Sequence, residues 1–117
     1  MDKDTEKYLI GWLRRGTSKW PGRRQCLSNA KTMVVIDGQV RARFKCAACG
    51  NQFDKRHVEV DHKNEVGPFK GDWNDFLDRM YCDVSNLQVL CVNCHSKKTS
   101  TYNARLRWSR NEDLSWL

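Results

Sequence analysis

Cys91-Val92-Asn93-Cys94-His95 repeats the spacing of the earlier Cys46-Ala47-Ala48-Cys49, and the two Cys-x-x-Cys pairs enclose Val60-Asp61-His62. Four thiolates carried on two knuckles fill a tetrahedral Zn²⁺ shell and leave no vacant position, so an ion held there staples the chain rather than catalysing. Asp61, His62 and His95 lie beside the knuckles and remain free for chemistry.

Size makes such a staple useful. With 117 residues, 39% of them hydrophobic, the chain reads as one small domain near the lower limit at which an apolar core outweighs chain entropy. Zinc binding to thiolates contributes on the order of 10 kcal/mol in finger-sized units, comparable to the net stability of a whole domain. Folding and metal retention are therefore expected to be coupled. The longest apolar run, Met33-Val34-Val35-Ile36, is far short of a spanning helix, and no signal peptide is visible. The expectation is a soluble protein of the reducing cytoplasm, where paired cysteines favour metal over disulfides. Cys26 and Cys82 have no cysteine or histidine at ligand spacing and read as small packing groups.

Charge is unevenly distributed around the formal net of +7. Residues 14 to 57 hold eleven Lys/Arg against Asp37 and Asp54, and residues 97 to 110 hold five bases and no acid. Residues 59 to 83 hold seven acids and three bases. Two basic arms around an acidic centre suit a binder of phosphate backbones that also holds a cation. A four-thiolate zinc centre carries −2, which lowers the formal charge to about +5.

Periodicity predicts an α+β chain. Tyr8, Leu9, Trp12 and Leu13 define the apolar face of a helix over Thr5 to Arg15, and Trp20-Pro21 opens a second helix to about Lys31. Strands at 33 to 36 and 40 to 45 flank Asp37-Gly38, a strong two-residue hairpin signal. Cys49-Gly50 fits a knuckle turn. His57 to His62 alternates with period two, which puts Val58, Val60 and His62 on one face and Asp61 on the other. For Asp61 and His62 to serve one site, a bend or bulge is expected at this strand end. Beyond Gly67-Pro68, the stripe Trp73, Phe76, Leu77 and Met80 predicts a core helix. Asn86 to Cys91 predicts a strand, and a helix starting at Cys94-His95 is expected to run past Arg107. Leu114, Trp116 and Leu117 either dock back or fray. No internal repeat or long linker divides the chain. The expected organisation is a basic helical extension (1 to 32), a zinc-bound core (33 to 100) and a helical tail (101 to 117).

The order Asp61-His62, Asn86, His95, set among the two knuckles, closely resembles the HNH endonuclease family, whose core is a ββα-metal nuclease motif. The likeness covers Cys46 to about Thr99, and Asn86 to His95 resembles the signature stretch. The Trp-Pro entry and basic N-terminal helices are similar to small phage-encoded members. The resemblance implies a zinc-stapled ββα-metal core with N-terminal basic helices and a C-terminal helix.

An unperturbed imidazole pKa of about 6.5 makes a histidine a suitable base for activating water at neutral pH, and the resemblance assigns that role to His62. It makes Asn86 a holder of the His62 loop or ring, and it makes Asp61 and His95 ligands of one catalytic divalent ion. Mg²⁺ tolerates few protein ligands, while the nitrogen ligand also suits Mn²⁺, Co²⁺ or Ni²⁺. Some members add a histidine ligand on the following turn, where this chain has Lys98 and Thr99. Weak ion binding is expected, with Zn²⁺ a poor catalytic ion. Glu59 and Glu65 flank the Asp-His pair without an assigned role. His57 reads as a strand residue or phosphate contact rather than a zinc ligand.

Arg14, Arg15, Arg23, Arg24, Arg41, Arg43, Lys45 and Lys98 are the candidate contacts to duplex DNA, acting on its phosphates and therefore carrying little sequence information. Trp12 and Trp20 read as core residues set among these bases. A monomer with one site is expected to nick one strand and leave 3′-OH and 5′-phosphate ends. The phage likeness implies host cytoplasm and a terminase as a possible partner. The rival from another class is a non-catalytic zinc-ribbon module that binds nucleic acid.

Overall fold

The computed structural model describes residues 1 to 114, and the surroundings of side chains as far as residue 109. The expectation for Leu114, Trp116 and Leu117 therefore falls outside the described side chains.

Helix α1 (Lys3–Gly16) begins two residues earlier than the periodicity predicts, because the Asp2 carboxylate accepts the Thr5 amide hydrogen at 2.7 Å and caps the first turn. Asp4 and Glu6 in that turn and Arg14 and Arg15 in the last complement the helix dipole. The predicted apolar face is corrected. Ile10 and Leu13 pack inward, whereas Tyr8 and Trp12 stand 60% and 56% exposed, edge to face at 6.4 Å. Only one edge of α1 meets the body, and it is the edge that reaches Phe76 and Met80. Helix α2 (Pro21–Ala30) opens with proline in its first turn and buries Cys26 and Leu27.

Strands β1 (Lys31–Ile36) and β2 (Gln39–Lys45) form the predicted hairpin, with Val35 opposite Val40. Asp37 and Gly38 both take positive φ, +51° and +77°, which matches the twist of the flanking strands. The short β3 (Gln52–Phe53) pairs with the end of β2. A separate antiparallel pair follows: β4 (Val58–His62) and β5 (Leu87–Cys91). His57 lies in a 3₁₀ turn before β4, its Nδ1 2.5 Å from Asp54 Oδ1, and Asn86 lies in a 3₁₀ turn before β5. Helix α3 (Trp73–Met80) is capped by Asp72, which accepts the Asn74 and Asp75 amides. Helix α4 (Val92–Leu114) continues from the second knuckle without a break at residue 100, so the boundary drawn there from the sequence falls inside a helix. Among the described residues, no helix is long and apolar enough to cross a membrane.

Three small cores carry this arrangement. Cys26 and Leu27 of α2 pack with Phe44, Val58, Leu87 and Val89, joining the helix to both sheets, and Trp20 and Cys82 pack against the cluster. On the other side, Leu90 joins Cys46 and Cys91. A third cluster of Val66, Phe76 and Met80 receives Ile10 and Leu13 from α1. It is fastened by Tyr81, whose hydroxyl donates to the Leu13 carbonyl at 2.5 Å. Phe76 is fully buried and meets Phe69 and Trp73 edge-on. Its replacement by alanine is predicted to cost about 3–5 kcal/mol in a urea titration, and a loss below about 1 kcal/mol would contradict its place at the centre of this cluster.

Candidate active site and metal centre

The second strand of each sheet ends in a knuckle. Cys46 follows β2 directly, and Cys91 is the last residue of β5. The ligand sulfurs of Cys46, Cys49, Cys91 and Cys94 all lie within 4.8 Å of one another. A tetrahedron with Zn–S distances near 2.3 Å has edges of about 3.8 Å, so the quartet fits a zinc ion with a contraction of at most about 1 Å. Backbone amides already point at the sulfurs: Cys49 N–H at 3.5 Å from Cys46 Sγ, and Cys94 N–H at 3.4 Å from Cys91 Sγ. Burial opposes ionisation of Cys46, but the amides of Cys49, Cys91 and Ala48 outweigh it and draw the thiol down to about 6. Cys94 moves the other way, pushed up to about 12 by its hydrogen bond with Cys91, by desolvation and by the neighbouring sulfurs. A divalent cation among the four sulfurs relieves that conflict of like charges. Gly50, at φ +77°, turns the first knuckle and returns its amide to the Cys46 carbonyl at 3.0 Å.

The second cluster lies where β4 meets the first turns of α4. Asp61 is 7% exposed, and its Oδ1 is 3.6 Å from His95 Nε2. Asp61, His62 and His95 line one cavity of about 620 Å³, together with Arg14, Glu65 and Tyr102. The expected bend or bulge is not found: pairing with β5 continues unbroken through Asp61 opposite Gln88 and His62 opposite Leu87. His62 is the last residue of the strand, so the cavity curls round the strand end and is reached from both faces. His62 Nε2 donates to the Met80 carbonyl at 2.7 Å. A carbonyl only accepts, so the hydrogen sits on Nε2 and the neutral ring keeps its lone pair on Nδ1.

Asn86 meets the chain just after His62 rather than the ring itself. Its carbonyl accepts the Lys63 amide at 2.8 Å, and its side-chain oxygen accepts the Asn64 amide and side chain at 3.4 and 3.1 Å. Of the two alternatives, loop or ring, it holds the loop. Lys98 departs from the expected phosphate contact. Its ammonium lies 2.7 Å from Asp61 Oδ2, 3.1 Å from Glu65 Oε1 and 2.6 Å from the His62 carbonyl. Partial burial works against that charge, but the two carboxylates prevail and hold the lysine above its ordinary value. Gln88 donates to the same Asp61 oxygen at 3.0 Å. Sequence reasoning gave no role to Gln88 or to the Met80 carbonyl, and nothing in residue type or spacing marks either one.

The candidate backbone-binding residues are distributed over several elements. Arg14 lines the cavity and donates to the Gly67 carbonyl at 3.0 Å. Arg15 lies over the exposed Trp12 ring at 5.5 Å, and Arg24 is exposed on α2. Arg23 shares a small recess with Trp20 and His62. Arg41, Arg43 and Lys45 alternate along β2 and so share one face. Lys45 and Lys63 line a further cavity of about 500 Å³ beside β5.

A small α+β body that joins a four-cysteine cluster to an Asp-His strand end and a helical histidine defines a nuclease of the ββα-metal class. Over 77 residues, 63% of the chain and 76% of the relative, the sequence is 40% identical to a "Probable HNH endonuclease" of Lactococcus phage SK1. No family model and no solved structure matches the chain. The chain belongs to the HNH endonuclease family of phosphodiester hydrolases.

Elemental analysis of the purified protein is expected to find one zinc per chain, and Cys46→Ser to abolish it. Chelation should remove the helical circular-dichroism signal, because binding free energy on the order of 10 kcal/mol is lost. A protein that keeps its melting temperature after losing zinc contradicts the stapling role.

Proposed function

We propose that this endonuclease acts on duplex DNA, with His62 as general base and with Asp61 and His95 holding one catalytic divalent ion. The observation that carries this reading is the His62 ring: it is tethered at Nε2 to the Met80 carbonyl and lines the cavity shared by Asp61 and His95. The tether commits Nε2 and leaves Nδ1 to accept a proton. Water loses that proton to Nδ1 as its oxygen bonds to phosphorus. The P–O3′ bond breaks, leaving a 5′-phosphate and a 3′ oxygen that takes a proton from solvent. A divalent ion at Asp61 and His95 supplies stabilisation of the charge that develops on the phosphoryl and leaving oxygens. Mg²⁺ and Mn²⁺ suit this oxygen-and-nitrogen pair, and Co²⁺ or Ni²⁺ also accepts it.

Asn86 keeps the loop after His62 in place, so the base stays aimed while substrate enters. Arg14 beside the cavity and the Arg41, Arg43 and Lys45 face of β2 contact phosphates, which positions the duplex without reading its bases. Low or modest sequence specificity and nicking by a monomer follow from a single site of this kind. The relative is a phage protein, and the proposed setting is the cytoplasm of a phage host, beside a terminase. The zinc-ribbon alternative leaves the tethered His62 ring and the Asp61–His95 approach without a purpose.

Purified protein given supercoiled plasmid and Mg²⁺ or Mn²⁺ is expected to produce nicked circles. His62→Ala should reduce the rate by about 10²–10⁴-fold, the usual contribution of a positioned base, while zinc content and circular dichroism stay unchanged. Normal cleavage by that variant, or absence of any product from the wild type, overturns the assignment.

A further inference from the structure

We propose that Glu59 is a positioning residue for the catalytic-ion site, acting through His95; this rests on the reading that Asp61 and His95 share one ion. Glu59 and Asp61 occupy positions i and i+2 of β4, so both project from the strand face that meets α4. Between them lies the His95 imidazole. Its Nδ1 is 2.9 Å from Glu59 Oε2, and its Nε2 is 3.6 Å from Asp61 Oδ1.

The two separations mean different things. At 2.9 Å the Glu59 carboxylate is in ion-pair contact with Nδ1, and because a carboxylate offers only acceptors it favours the tautomer that carries the ring hydrogen on Nδ1. The Nε2 lone pair then faces Asp61, where a second hydrogen bond is neither needed nor formed at 3.6 Å. Two ligands of one octahedral ion, each at about 2.0–2.1 Å, lie about 3.0 Å apart when adjacent and about 4.2 Å apart when opposite. The 3.6 Å gap between Asp61 and His95 needs to close by about 0.6 Å for the two to take adjacent positions on such an ion. Ring nitrogens point away from each other, so Glu59 lies on the far side of the imidazole and is not a ligand of the same ion. It selects the tautomer and fixes the ring plane, as carboxylates behind ligating histidines do. Asp61 is held in the same manner from its other oxygen, Oδ2, by Lys98 and Gln88. Each ligand thus has one committed atom and one offered atom.

The test is titration of the zinc-loaded protein with Mn²⁺, with free Mn²⁺ read by electron paramagnetic resonance. Outer partners of metal ligands are worth about 10–100-fold in affinity. Because the Glu59 side chain is 51% exposed, Glu59→Ala is expected to weaken Mn²⁺ binding by about 10-fold, at the low end of that range. Glu59→Gln retains an acceptor for Nδ1 and should recover most of the loss. Cleavage by Glu59→Ala should approach the wild-type rate once Mn²⁺ is saturating, a split that general destabilisation does not produce. Zinc content and circular dichroism serve as folding controls for both variants. Glu59→Ala binding Mn²⁺ as the wild type does, while Asp61→Ala loses it, overturns the role of Glu59 alone. Equal loss in the Ala and Gln variants also overturns it, since charge and not orientation would then be the cause. Undiminished Mn²⁺ binding by Asp61→Ala overturns the shared ion site itself.

Discussion

Everything in this small protein hangs on the sulfur quartet that ties two separate sheets together. β2 and β5 belong to different ladders and meet through Phe44, Leu87 and Val89 in the first core. Their ends meet through Cys46 and Cys91, and the Ala47 amide seals the junction by donating to the Val89 carbonyl at 2.8 Å. A divalent ion held by the four thiolates would add its binding free energy to this junction, and α4 starts from the second knuckle.

Strand alternation then distributes the chemistry. Even positions of β4 put Val58 and Val60 toward α2, while Glu59 and Asp61 project toward α4. Asp61 is a buried carboxylate, and a buried charge without a partner is costly. Lys98 meets that need from the helix, two polar neighbours share the same oxygen, and the other oxygen stays directed at His95. His62 ends the ladder and escapes the alternation by position, since no further pair separates the two faces beyond it.

Most of the architecture was legible because its signals are local. The Asp37-Gly38 hairpin, the alternation of Val58 to His62 and the Trp73 to Met80 stripe each depend on residues close in sequence. The four-cysteine cluster was legible because thiolates at knuckle spacing have few other uses. What was not legible depends on which edge of an element meets its neighbour. Tyr8 and Trp12 share a helical face with Leu9 and Leu13 by periodicity, yet the apolar docking of α1 runs through Ile10 and Leu13. The partners of the His62 ring and of Asp61, a Met80 carbonyl and Gln88, come from distant parts of the chain, and a backbone carbonyl leaves no trace in residue type. Lys98 read as a phosphate contact because the sequence does not reveal which turn of α4 lies over Asp61.

Adjacency of Cys94 and His95 on the first turn of α4 has a consequence for how this chain can change over generations. One residue gained or lost between Cys91 and His95 would turn the imidazole by about 100° round the helix axis, away from both strand carboxylates, even with all four sulfurs intact. The segment between β4 and α3 has no ladder or thiolate to set its length, but it is held by Val66 in the third core and by the Gly67 and Pro68 carbonyls bound to Arg14 and Arg79. In the knuckle that launches α4, length sets where the imidazole points.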